Sequence, residues 1–190
     1  MSDAPAFRHL GDRPVYQGYI WHVAVARFQA PDGEEFERDI VRSPGAVATV
    51  PLYHDADGVP RVVLLRQYRA PYAATIVEVP AGMRDIPGEP TEVTAARELV
   101  EEVGMEAGRL QHLVDMYPAA GMTDSVLTIY LATELTHVER QTHGPEEDHM
   151  EVLDVPLADA ITMVLQGDIK DAKTIIGLLL VERQLGLAQS

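Results

Sequence analysis

The sequence predicts a mixed α/β fold of the α+β type, with one principal domain over residues 44–190 and a small N-terminal β-hairpin subdomain within residues 1–43. Three observations lead there. Apolar stretches of strand length and amphipathic stretches of helix length interleave, but without the regular strand-helix alternation of a doubly wound sheet. Proline and glycine clusters punctuate the chain at 31–33, 43–45, 80–82, 87–88 and 144–145. At 190 residues, the chain is long enough for one full core with a small appendage.

Residues 1–14 are polar and proline-containing and read as a loose arm. Residues 15–28 are rich in β-branched and aromatic side chains and read as a strand, with Gly18 as a candidate bulge. Pro31-Asp32-Gly33 has turn chemistry, and 34–42 reads as the returning strand. A two-stranded hairpin is marginal in water, so it needs a surface to pack on, in its own domain or on a second subunit. Ser43-Pro44-Gly45 marks the boundary. Residues 46–53 and 61–68 are apolar strands joined by the turn 54–58, and 75–79 is a short strand running into Pro80-Ala81-Gly82. A helix is expected from Pro90, where proline's missing N–H is harmless. Ala95, Ala96, Leu99 and Val103 form its buried stripe, and Gly104 is placed to stop it. Residues 110–117 and 125–135 read as strands on either side of the loop 118–124, and 151–155 as a last strand. Helices over 156–165 and 171–185 complete the chain, the second capped by Asp171.

Composition bounds the partners. Apolar content of 46% and a mean hydropathy of −0.06 describe an ordinary globular chain. A formal charge of −15 argues against a nucleic-acid backbone or an anionic membrane as the main partner. There is no cysteine, which removes disulfides and thiol chemistry. The N-terminus lacks an apolar signal core and no run approaches membrane-spanning length, so a cytoplasmic location is expected.

The chemistry concentrates between Glu78 and Met105. Arg97-Glu98-Leu99-Val100-Glu101-Glu102-Val103-Gly104 crowds three carboxylates onto little more than one helical turn. Glu98 and Glu102 are four apart and Glu98 and Glu101 three apart, so all project from one side of a helix. Like charges at that spacing destabilise an isolated helix by roughly 0.2–0.5 kcal/mol per pair. Helix stability gives no reason for them, whereas a hard divalent cation does, because Mg²⁺ takes oxygen ligands shared between carboxylates and substrate phosphates. A solvated acidic face is the competing reading, and the surrounding residues weigh against it. Gly82 leads, Glu89 stands eight before Arg97, and Met105 closes with an apolar residue.

That pattern resembles the Nudix box, G-x5-E-x7-R-E-U-x-E-E-x-G-U with U aliphatic. One departure exists: six residues, not five, separate Gly82 from Glu89. It falls in the loop before the helix and shifts no helical register. The resemblance implies a mixed sheet between helices, an α/β/α sandwich, and metal-dependent cleavage of a diphosphate with Mg²⁺, or Mn²⁺ as a substitute. It also implies that Glu98, Glu101, Glu102 and the backbone carbonyl of Ala81 are metal ligands, with Arg97 orienting the carboxylates. Gly82 would then let the backbone turn so that the preceding carbonyl faces the metal.

Arg66-Gln67-Tyr68-Arg69, followed by Glu78-Val79-Pro80-Ala81-Gly82, resembles the ADP-ribose pyrophosphatase branch of that superfamily. So does the segment 168–174 ahead of an apolar helix, and the N-terminal hairpin resembles the exchanged strands through which those enzymes form homodimers. The implied substrate is ADP-ribose or a close ADP-sugar. Arg69 would contact the diphosphate or terminal ribose, Glu78 would line the pocket, and Arg38 would reach substrate in the partner subunit. Tyr19 or Trp21 would stack on adenine, with ordinary core or dimer packing as the alternative. The general base in that branch lies on an acidic loop before the last strand, here Gly144-Pro145-Glu146-Glu147-Asp148, which favours Glu146 and then Glu147 over a solvated loop tip. His143 and His149 flank that loop and read as surface residues. The loop 119–125 departs from the branch pattern, with Ala120 where proline is common and Ser125 where glutamate is, so the substrate is less firmly implied than the chemistry. Another nucleoside-diphosphate-linked substrate, or a module that senses ADP-ribose without cleaving it, are the rival readings.

Overall fold

The computed structural model describes residues 6–140 and 149–186. They fall into two compact units: one of Met1–Gly45 and Tyr117–Val126, the other of Ala46–Met116 and Leu127–Ser190.

The first unit is a three-stranded antiparallel sheet of β1 (Arg8–Gln17), β2 (His22–Gln29) and β3 (Glu35–Arg42), in that order across the sheet. Two expectations are corrected here. Residues 8–14 are strand rather than loose arm, and Gly18 lies in the turn between two strands rather than at a bulge within one. The Gly18 N–H donates to Trp21 O at 2.9 Å, and a Cβ on Gly18 would stand 2.6 Å from that oxygen. The sequence of β1 hides its strand character because all ten residues are exposed and leave no apolar alternation. Its proline is tolerated because β1 is an edge strand and Pro14 borders a register shift. The segment 117–126 is tied to β3 by Val41 N–H donating to Met122 O at 2.9 Å and by Thr123 Oγ1 donating to Val41 O at 2.7 Å. Arg42 adds ion pairs to Asp124 at 3.0 Å and to Asp12 of β1 at 2.8 Å.

The second unit is built on a mixed sheet in the order β10-β5-β4-β9-β8. Its strands are β4 (Ala46–His54), β5 (Pro60–Arg69), β8 (Met105–Met116), β9 (Leu127–His137) and β10 (Glu151–Pro156). β4 and β9 run parallel, and the other pairs are antiparallel. β4 and β5 pair only next to their turn, at Leu52–His54 with Pro60–Val62, and then part. The segment after β5 fills the opening: β6 (Ala74–Glu78) pairs with β5, and β7 (Ala81–Met83) pairs with β4. Pro80 between them cannot donate, but its carbonyl accepts from Thr49 N–H at 2.9 Å.

Period-two alternation sorts the strand residues onto two faces. On one, Val50 and Leu52 of β4, Val62 and Leu64 of β5 and Ile129 and Leu131 of β9 pack with α2 (Leu157–Gln166) and α3 (Ala172–Gln184). On the other, Val63, Leu65 and Ala132 pack with Leu99 and Val103 of α1 (Thr91–Val103). The layers are therefore helix, sheet, helix pair, as the resemblance implies. The buried residues of α1 are Thr94, Ala95, Leu99, Glu102 and Val103, so the stripe carries a carboxylate and Ala96 lies at its margin. Gly104, at φ +64°, ends α1. α3 crosses β4 so closely that a Cβ on Gly177 would lie 2.7 Å from Val50 Cγ2. Among the described residues no helix is long and apolar enough to cross a membrane.

Candidate metal and diphosphate site

The opening between β4 and β5 brings the end of β6, β7 and one flank of α1 together. Glu102 sits on that flank, buried, and its Oε2 accepts the Ala81 N–H at 2.8 Å. Burial pushes the Glu102 carboxyl up to about 8; the Ala81 N–H holds it down and the negative charge of Glu98 adds to the rise. Glu98, one turn earlier, is pushed up to about 7, again chiefly by burial, with Arg97 opposing and Glu101 reinforcing.

Arg97 gathers the acidic groups. Its Nη1 donates to Glu98 Oε1 at 2.8 Å and to Glu101 Oε2 at 3.0 Å, while Nη2 reaches Asp85 and Glu89, each at 3.4 Å. Glu89 is held in turn by Thr94 Oγ1, which donates to it at 2.8 Å. The orienting role implied for Arg97 thus has a geometric counterpart.

Gly82 has a different task from the one implied. Its φ lies outside the left-handed region, and it sits within β7. What requires glycine is Glu98: a Cβ on Gly82 would lie 1.9 Å from Glu98 Cδ. The missing side chain is the space in which the carboxylate rests.

Beside Glu98 and Glu102 stands a further carboxylate. Glu78, at the end of β6, is fully buried. Its Oε1 accepts from Arg69 Nε at 2.7 Å, and its Oε2 accepts from Lys173 Nζ of α3. Lys173 also pairs with Asp171 Oδ1 at 3.0 Å. Asp171 caps α3 by accepting from Thr174 N–H at 3.0 Å and from Thr174 Oγ1 at 2.6 Å, and that hydroxyl oxygen accepts Val79 N–H at 2.9 Å. For Arg69, burial works against the charge, and the carboxylates of Glu78, Glu102 and Asp171 together outweigh it, so its pKa is raised. Glu102 feels the charges of both Arg69 and Glu78, which makes the two groups one electrostatic site.

The structure therefore brings Glu78, Arg69, Ala81, Glu98, Glu101 and Glu102 into one neighbourhood. Arg38 belongs to the first unit, where its guanidinium lies 4.7 Å from the Phe36 ring centroid. With Phe28, Phe36, Ile40 and Met122, Arg38 lines a cavity of about 410 Å³. Tyr19 and Trp21 are 103% and 53% exposed, which removes core packing in this chain as their role. Glu146, Glu147 and His143 lie outside the described residues.

Lys173 was not singled out from the sequence, although a signal for it exists. It stands in the first turn of α3, where the helix dipole disfavours a cation. A lysine placed there indicates a specific anionic partner.

The donor set fits a hard divalent cation. Its side-chain ligand atoms are carboxylate oxygens, and two of those carboxyls are pushed toward neutrality by burial in the protein alone. Among the described residues no three acidic or histidine side chains group as ligands of one ion.

The NUDIX domain family model matches residues 43–176. The chain belongs to that family. It is similar to an "ADP-ribose pyrophosphatase" of Bacillus subtilis, at 34% identity over 84% of each chain. It is also similar to an "ADP-ribose pyrophosphatase" of Mycobacterium tuberculosis, at 38% identity over 92% of this chain and 83% of the relative. A solved structure described as an ADP compounds hydrolase aligns with a TM-score of 0.80 at 22% identity, covering 100% of this chain and 99% of that one, and shares the fold.

Proposed function

We propose that this Nudix protein hydrolyses the diphosphate of ADP-ribose, or of a close ADP-sugar, to AMP and a sugar phosphate such as ribose 5-phosphate. The observation that carries the reading is the pairing of half-buried Glu98 and buried Glu102 with the Arg69–Glu78 ion pair beside them. The names of the two curated relatives support the substrate. Glu98, Glu101, Glu102 and the carbonyl of Ala81 would share between them the two or three divalent cations of the family, Mg²⁺ by its hardness. A cation there neutralises charge on the diphosphate oxygens.

The chain's own residues do the rest. Arg97 keeps Glu98 and Glu101 facing one way, and Gly82 leaves room for Glu98. Arg69, anchored through Nε, presents its two terminal nitrogens, which bond no group among the described residues, to phosphate oxygens. Glu146 or Glu147 takes the proton of the attacking water; the water oxygen bonds one phosphorus and the bridging oxygen leaves with the other phosphoryl group. Arg38 of a partner subunit contacts substrate, and residues 1–43 are the dimerisation element of a cytoplasmic homodimer. Deleting 1–43 is expected to give insoluble protein or an inactive monomer; a soluble, active monomer refutes the exchange.

Product analysis with ADP-ribose in Mg²⁺, in Mn²⁺ and in chelator tests the activity. Metal-dependent appearance of AMP and ribose 5-phosphate is expected. The departures in the loop 119–125 favour, as a second reading, another nucleoside-diphosphate-linked substrate, and cleavage of that compound instead would move the substrate. Binding without cleavage of any diphosphate would replace the enzyme by a sensor.

A further inference from the structure

We infer that Lys173 is a positioning residue for phosphate recognition: by occupying Glu78 Oε2 it confines Arg69 to Oε1 and keeps the Arg69 terminal nitrogens turned to substrate. This rests on the reading of Arg69 as a diphosphate ligand. A buried carboxylate and a guanidinium alone tend to a two-pronged pair, in which two parallel N–H groups bond both oxygens. Here only Nε bonds Glu78, at 2.7 Å, because the second oxygen is taken by the Lys173 ammonium. Lys173 is itself 11% exposed at its side chain and is fixed from behind by Asp171 at 3.0 Å. Two carboxylates and two cations thus form a closed set in which every charge but the outer face of Arg69 is consumed. The cluster has a cost that structure alone does not justify, since Lys173 sits at the wrong end of the α3 dipole and Glu78 is wholly out of water. The gain is an arginine whose nearly 36% exposed side chain cannot retract onto Glu78.

The test is a double-mutant cycle of Lys173→Met and Arg69→Met, read as KM and kcat for ADP-ribose with Mg²⁺ and as the Kd for ADP by calorimetry. Lys173→Met is expected to weaken KM and Kd about tenfold, with kcat changed by less than about threefold. In the Arg69→Met background the same substitution is expected to change either constant less than about twofold, because the group it acts through is gone. Lys173→Arg, which keeps a cation on Oε2, is expected to recover most of the affinity. Should Lys173→Met not fold, Lys173→Gln carries the cycle. Losses that simply add in the double variant, or a fall in kcat at constant KM and Kd, overturn the inference. Wild-type protein that cleaves no diphosphate removes the proposed function instead, and the Kd for ADP still decides the role of Lys173.

Discussion

Two buried carboxylates stand side by side in this protein and are treated in opposite ways. Glu78 is fully buried and has a cation on each oxygen, Arg69 on one and Lys173 on the other. Glu102 is 6% exposed and is held by one backbone N–H, with Glu98 rather than a cation as its neighbour along the helix. Burial is nearly equal; compensation is not. The difference separates a charge the fold completes by itself from a charge left without a cation, as the proposed metal site requires. A buried ionised group with its partners in place costs little to keep, whereas one without them drifts toward its neutral form.

The largest effect falls on Glu102 and its helical neighbour Glu98. Glu102→Gln and Glu98→Gln are each expected to lower turnover by about three orders of magnitude or more, since each removes a charge from the proposed metal site. The amide oxygen that Glu102→Gln introduces can still accept the Ala81 N–H, so the fold is expected to survive and the metal-free melting temperature at pH 8 to rise. Near-normal turnover by pure variant protein would remove the metal assignment.

Glu78→Gln breaks the comparison from the other side. It leaves the Arg69 and Lys173 cations facing a neutral group, and losing one partner of a buried ion pair costs about 3–5 kcal/mol. A fall in melting temperature is therefore expected where Glu102→Gln gives a rise. Two variants that shift the melt in the same direction would show that the two carboxylates are not treated differently.

Gly82→Ala sharpens it further without touching a charge. The new Cβ would stand 1.9 Å from Glu98 Cδ, so Glu98 must leave its place while Glu78 and its cations stay. A loss of about a hundredfold in turnover is expected, the scale for a misplaced catalytic group. Unchanged activity would mean that the resting position of Glu98 is irrelevant.

Much of this was legible in the sequence, and the limits have physical causes. The spacing of Glu98, Glu101 and Glu102 identified one helix face, because helical periodicity translates directly into geometry. The apolar runs 46–53 and 61–68 were legible as strands, and the sheet between helices followed from the family resemblance. What escaped was non-local. β1 carries no periodic signal because its stability comes from backbone pairing with β2, not from burial. The loop 117–126 lies far along the chain from β3, yet its hydrogen bonds run to Val41. Lys173 meets Glu78 across 95 residues, and only its unfavourable place in α3 hints at a partner. The need for glycine at position 82 was readable, but its reason, the Glu98 side chain, required coordinates.

The smallest effect is also the most direct reading of Glu98 and Glu102, because it needs no mutation. Glu98 and Glu102 move from 4.5 to about 7 and about 8 on folding. Below pH 4.5 both states hold these protons and the pair contributes no slope. As pH rises from there, the unfolded chain releases its protons first while the folded chain keeps them, so stability falls until both folded carboxyls have ionised, past the Glu102 value of about 8. The metal-free melting temperature is therefore expected to drop by several degrees between about pH 5 and pH 8. Mg²⁺ binds the ionised carboxylates, so its stabilising effect must grow over the same interval, opposite in sign to the metal-free slope. Other groups titrate in that range, and the Glu98→Gln/Glu102→Gln double variant subtracts them, since it retains every group but these two. A wild-type profile parallel to that of the double variant would mean that water reaches the two carboxylates and that burial does not set their charge.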